Sequence, residues 1–214
     1  MDKVMIDDLI LELSLIHHQI NKKLFNKELK KIKINISDNK RLKTKLKLGH
    51  FEANSGWEDN DMQIIIWTLA LDGDPYNIIS VLIHEMVHQW NFQHNIKDVE
   101  NNGRHNKKFR DKALSIGLEI PKTIRGDKTN KHGRGFDRTN LSKILKDIIK
   151  KDLDFNWDIL KFKHRNAIEY ESKSYSQRYT YYCLCIFDNR NFSFSSSKKM
   201  KIKCLICNNE FKIK

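Results

Sequence analysis

Residues 74–92 read DPYNIISVLIHEMVHQWNF. Asp74 ahead of Pro75 is a helix-start signal: a side-chain oxygen to cap free N–H groups, then a residue that has no N–H to leave unpaired. Ile78, Val81, Leu82, Met86 and Trp90 repeat at spacings of three and four, which predicts a helix from about Tyr76 to Phe92. On that helix His84 and His88 stand one turn apart on the same face, so both imidazoles can reach one metal ion. Glu85 projects from the adjacent face, close enough to take a proton from a water on that metal without ligating it. Zinc suits such a site, because it lowers the pKa of its water to about 7 and polarises a carbonyl.

A catalytic zinc takes three protein ligands and keeps one position open. The residues leave the third open. His94 lies ten positions after His84, the spacing of the metzincin pattern. Asn91, however, stands where that pattern needs a glycine for a sharp turn, and the only methionine further on is Met200. His105 opens the next apolar-periodic segment, and Glu100 and Glu119 are carboxylate alternatives.

Outward from the helix, Met5, Ile6, Leu9, Ile10, Leu13, Ile16, Ile20 and Leu24 form a core-facing stripe on a helix over residues 5–25. Alternation around Ile32, Ile34 and Ile36, the stretch from Leu42 to Leu48 before Gly49, and the apolar run Ile64 to Trp67 predict strands near 31–37, 43–53 and 62–68. Phe109, Ala113 and Ile116 predict a helix over 105–116 that stops at Gly117. Residues 122–140 form a basic loop with three glycines, and 141–153 a short amphipathic helix. From Tyr175 onward the chain turns aromatic and β-branched, with four cysteines. Trp67 and Trp90 read as core, and His17, His18, His50, His132 and His164 as surface; His132 is also a candidate oxyanion-side donor.

The cysteines are spaced Cys183-x-Cys185 and Cys204-x-x-Cys207, with an 18-residue loop between the pairs. Four thiolates on two knuckles give a closed tetrahedral zinc site, and so small a module needs a staple of this kind to fold. No apolar run approaches the roughly 18–20 residues that cross a bilayer. Asp7, Asp8 and Glu12 interrupt the apolar N-terminal stretch, which excludes a secretory signal there and places the chain in the cytoplasm. Thiols in that compartment are metal ligands more often than disulfides.

The net charge is +13 over 214 residues, which favours a polyanionic partner, most simply nucleic acid. The charge is uneven. Residues 21–50 carry net +9, 101–138 net +7 and 171–214 net +6, while 51–103, which hold the histidine helix, carry net −8. Tyr175, Tyr179, Tyr181 and Tyr182 can either pack within strands or stack on bases.

The stretches HEMVHQW (84–90), GRHNKKFRDKALSIGL (103–118), YYCLC (181–185) and KCLIC (203–207), in this order, resemble the SprT-like zinc metalloprotease family. The resemblance covers roughly 5–119 and 175–214. It implies an α+β, zincin-like protease domain over residues 1–121, built from an N-terminal helix, a three-stranded sheet and the HExxH helix. A small β-rich zinc ribbon follows over 175–214, and 122–174 stand apart as a basic loop and helical insertion. It implies His84, His88 and His105 as ligands of a catalytic Zn2+ and Glu85 as general base. A second, structural Zn2+ belongs at Cys183, Cys185, Cys204 and Cys207. It also implies DNA-bound or DNA-crosslinked protein substrates and recruitment by DNA, single-stranded or with single-stranded character. Arg104 and Asn106 depart from the family, which commonly has glycine beside this histidine. The alternatives are a zinc-stabilised nucleic-acid-binding protein without protease activity and a peptidase that acts on free proteins.

Overall fold

The computed structural model describes residues 5–38, 48–54, 56, 62–101, 103–121, 139–165, 167, 178–187 and 190–213. The chain divides into two compact units, Met1–Tyr170 and Glu171–Lys214. His132, Tyr175 and the first part of the expected 43–53 strand lie outside the described residues.

In the first unit, helix α1 spans Ile6–Leu24 and fully buries Leu9, Leu13, Ile16 and Ile20. Strands β1 (Lys33–Ser37), β2 (Gly49–Glu52) and β3 (Gln63–Trp67) make one sheet in the order β1-β3-β2. β1 runs parallel to β3, with Ile34 beside Ile64 and Ile36 beside Ile66. β2 pairs antiparallel on the other side, with Gly49 opposite Ile66. Helix α2 spans Pro75–Gln93; the Asp74 carboxylate accepts from Tyr76 N at 2.9 Å and Pro75 fills the first turn. Ile78, Ile79, Leu82, Ile83, Met86 and Val87 press the other face of α2 into the core.

Helix α3 (Lys107–Ser115) starts two residues later than the spacing predicts. Its cap is Asn106, whose side-chain oxygen accepts from Lys108 N and Phe109 N. Gly117, at φ +90, ends the segment, and β4 (Leu118–Glu119) pairs antiparallel with β5 (Asn140–Leu141). Helix α4 (Lys143–Asp152) follows, capped by Ser142.

Of the segment set apart as an insertion, the described residues 139–165 share the core of the first unit. Leu141, Leu145, Ile149, Leu153, Phe155 and Leu160 belong to the same buried cluster as Leu13, Ile64 and Met86. Past α4 the chain clasps α1: Asp154 N donates to Gln19 Oε1 at 2.8 Å and Asn156 N to Glu12 Oε1 at 2.7 Å. Trp157 packs edge-on against Tyr76 at the start of α2.

Two expectations are corrected. His17 is buried, because position 17 falls beside Leu13, Ile16 and Ile20 on the inward face; its Nε2 lies 2.9 Å from Gln89 Oε1 on α2. Trp67 and Trp90 are half-buried: Trp90 turns Nε1 outward to Glu28 at 2.7 Å.

In the second unit, β6 (Tyr179–Phe187) is flanked by β7 (Arg190–Ser196) and β8 (Lys212–Ile213), both antiparallel to it. Tyr181 is fully buried, stacks on Phe194, and accepts from Met200 N through its hydroxyl. That is strand packing.

Candidate metal centre

α2 brings His84 and His88 to the surface of the core, with ring centroids 5.2 Å apart. The third imidazole comes from the turn before α3. Val99 and His105 form an antiparallel bridge, and Asn106 N donates to the Asp98 carbonyl at 2.9 Å. This short hairpin folds back over α2, and His105 Nε2 stands 3.2 Å from His84 Nε2 and 2.8 Å from His88 Nε2. Phe109, fully buried one turn into α3, lies under all three rings at centroid distances of 4.3–4.7 Å.

The ring orientations are held from behind. His88 Nδ1 lies 2.7 Å from Asp98 Oδ2, which also accepts from Asn91 Nδ2 at 3.1 Å. His84 Nδ1 lies 3.0 Å from Thr139 Oγ1. With their Nδ1 atoms so engaged, both rings aim Nε2 at the common point, the arrangement that orients metal-binding imidazoles. Burial first, then the neighbouring His88 and His105, push the pKa of His84 well below its ordinary value, so its ring is neutral and its lone pair free. Neither Asp98 nor Thr139 stands out in the sequence: one is an acidic residue in a polar loop, the other follows the basic glycine segment.

His94 does not join the group. α2 runs on through Asn91, and the left-handed turn comes later, at Asn95 with φ +55. His94 caps the helix, with Nδ1 2.7 Å from Trp90 O and its ring stacked on Trp90. Glu100 and Glu119 are exposed, outside the triad. Glu85 is buried beside it, between α2 and the first residue of β2.

Three nitrogens on a tetrahedral ion at about 2.1 Å stand about 3.4 Å apart. The triad, at 2.8 and 3.2 Å, fits an ion of that size with little adjustment. In the second unit the four cysteine sulfurs also gather, with Cys183 3.2 Å from both Cys185 and Cys207, and Cys185 3.5 Å from Cys204. Zn–S bonds of about 2.3 Å give tetrahedral edges of about 3.8 Å, so this donor set fits zinc as well. The backbone N–H groups of Cys207 and Ile206 point at Cys204 and pull its thiol down to about 6, towards the thiolate a metal takes. Among the described residues these are the two groups of side chains able to hold a metal ion.

Three imidazoles with a buried carboxylate alongside are the donor set of a zinc hydrolase, which leaves one coordination position for its substrate. The family model described as the SprT-like family matches residues 13–132, more than half of the chain, and the chain belongs to that family. Its members are in general zinc metallopeptidases. No curated protein and no solved structure matches the chain.

Proposed function

We propose that the protein is a zinc-dependent endopeptidase that cleaves DNA-bound or DNA-crosslinked proteins, recruited by DNA in the cytoplasm. The observation that carries the peptidase reading is the convergence of His84, His88 and His105 within a few ångströms, with Glu85 buried on the same helix. His84, His88 and His105 hold the metal through Nε2, and Asp98 and Thr139 keep two of those rings in place. Zinc, when bound, polarises the scissile carbonyl and makes water a competent nucleophile at neutral pH. Glu85 takes the proton from the attacking water and passes it to the leaving amine. The four cysteines hold a second, structural ion.

The charge pattern supports recruitment. Segments of net +9, +7 and +6 attract phosphates, while the −8 segment that bears the histidine helix repels them. A DNA strand then lies beside the catalytic residues and presents a bound protein to them. No described helix is long and apolar enough to cross a membrane.

The test is digestion of a DNA-binding protein by the wild type and by Glu85→Gln, with and without single-stranded DNA. Wild-type cleavage should rise with DNA, and Glu85→Gln should lose about 10²–10⁴-fold while it keeps its metal. DNA binding should weaken steeply with salt, as phosphate contacts release counterions. Cleavage indifferent to DNA points to a peptidase of free proteins. DNA binding without cleavage points to a zinc-stabilised binding protein, and full activity in Glu85→Gln refutes the chemistry.

A further inference from the structure

β2 passes unusually close to α2 at one position. A Cβ placed on Gly49 would stand 2.6 Å from Glu85 Oε1, 2.9 Å from Glu85 Cγ and 2.8 Å from Val81 Cγ1. Side-chain carbons essentially never approach other atoms that closely, so any residue but glycine at 49 must move its neighbours. Gly49 is held in place: it pairs opposite Ile66 in the sheet, and Trp67 N donates to the Leu48 carbonyl at 2.9 Å beside it. Val81 is anchored too, buried on the rigid turn of α2 that precedes the histidines. The nearest atom of all is Glu85 Oε1, so a methyl group at 49 would act first on the carboxylate.

We propose that Gly49 is a positioning residue for Glu85, its missing side chain leaving the space in which the carboxylate is held between β2 and α2. The inference rests on the reading of Glu85 as general base. β2 thereby serves the chemistry through a backbone surface. His84, His88 and His105 have no contact with the added atom among its nearest neighbours, so metal binding and carboxylate placement become separable. Displacement of a reacting group by about 1 Å lowers turnover by roughly 10²-fold.

The experiment uses the full-length chain with Gly49→Ala, Glu85→Gln and the double variant. Gly49→Ala should retain wild-type zinc content and change KM by less than about twofold, while kcat falls on the order of 10²-fold. The double variant should be no slower than Glu85→Gln alone, because the displaced group is already absent. A readout independent of activity is the melting temperature of the metal-free chains. Gly49→Ala should lower it in the wild-type background and lower it less in Glu85→Ala. Should Gly49→Ala fail to fold, Gly49→Ala with Val81→Ala removes the second close contact and leaves the one with Glu85. The proposal is overturned if Gly49→Ala turns over at the wild-type rate, if its loss multiplies with that of Glu85→Gln, or if its melting shift is the same in both backgrounds. Full activity in Glu85→Gln removes the general-base reading, and the proposal with it, whatever Gly49→Ala does.

Discussion

His88 Nδ1 and Asp98 Oδ2 stand 2.7 Å apart, and this contact joins the end of the histidine helix to the hairpin that carries His105. Asp98 accepts from the ring through its side chain, while its backbone carbonyl accepts from Asn106 N, next to His105. One residue therefore sets both the orientation of the second imidazole and the placement of the third. Replacement by alanine leaves the backbone bond intact and frees the His88 ring. Asp98→Ala should weaken zinc binding about 10–100-fold with little change in the circular dichroism spectrum. Competition with a chelator of known affinity measures it, and an unchanged affinity would show that the contact does not act on the metal.

The choice of third ligand gives a sharper contrast. His105 Nε2 lies within 3.2 Å of both other ring nitrogens, whereas His94 is turned back onto Trp90. His105→Ala should release the metal of this site to a mild chelator, and His94→Ala should retain it. The opposite result would put the ion nearer the end of α2 and dismantle the triad.

Much of this centre was legible because helical spacing is a local property. The i, i+4 pair and its stripe of apolar partners specify a face before any tertiary contact is known, and the Asp74-Pro75 start fixes where the helix begins. The same rule covers His17, which shares the inward arc of α1 with Leu13 and Ile20 but reads as surface if polarity is weighed above position. Other features depend on contacts remote in sequence. Thr139 meets His84 across 55 residues, and α4 shows an apolar stripe without revealing that it packs into the core of the first unit. The parallel pairing of β1 with β3, and the placement of β2 at the opposite edge, depend likewise on chain crossings that periodicity does not encode.

His17 supplies a pH signature. Burial, partly offset by the bond to Gln89, lowers its pKa from the ordinary value of about 6.5. The folded chain thus holds the ring neutral where the unfolded chain binds a proton. The contribution of His17 to stability is at its greatest above about pH 6.5 and declines as the pH falls from there towards the folded-state pKa. Denaturant titrations of the metal-free protein should show this acid loss, to which the buried His84 adds its own, and His17→Gln should reduce it by the His17 share. An identical pH profile in the variant would place the protonation elsewhere.

Leu145 and Ile149 test whether the segment after β5 is part of the first unit. They are 1% and 0% exposed, among the same residues that surround α2. A large-to-small change at such a site costs about 2–5 kcal/mol, so Leu145→Ala should lower the stability of the whole first unit in one transition. Exposed Ile144 on the same helix, 74% accessible, is the control and should change stability by less than about 0.5 kcal/mol. If Leu145→Ala leaves the main transition unmoved, the segment folds independently.

The second unit is too poor in apolar side chains to hold itself together. Among its described residues only Tyr181, Cys183 and Cys204 are buried, and Leu184, Leu205 and Ile206 face solvent. Stacking of Tyr181 on Phe194, and of Phe194 edge-on to Phe211, adds little more than one ring's worth of core. The gathered sulfurs then have to supply the missing stability through a metal, since a closed thiolate site contributes its binding free energy directly to folding. Cys207→Ser removes one ligand, and with it the N–H-assisted knuckle at Cys204 loses its partner thiolate. The wild type should therefore bind two zinc ions per chain and Cys207→Ser one, with the remaining ion still lost on His105→Ala. Near-ultraviolet circular dichroism should report a loosened Tyr181 environment in the serine variant, while the transition of the first unit stays in place. A single ion in the wild type would mean that the sulfurs gather without a metal, two ions retained by Cys207→Ser would mean that the second ion does not need Cys207, and loss of both would mean that the two sites are not independent.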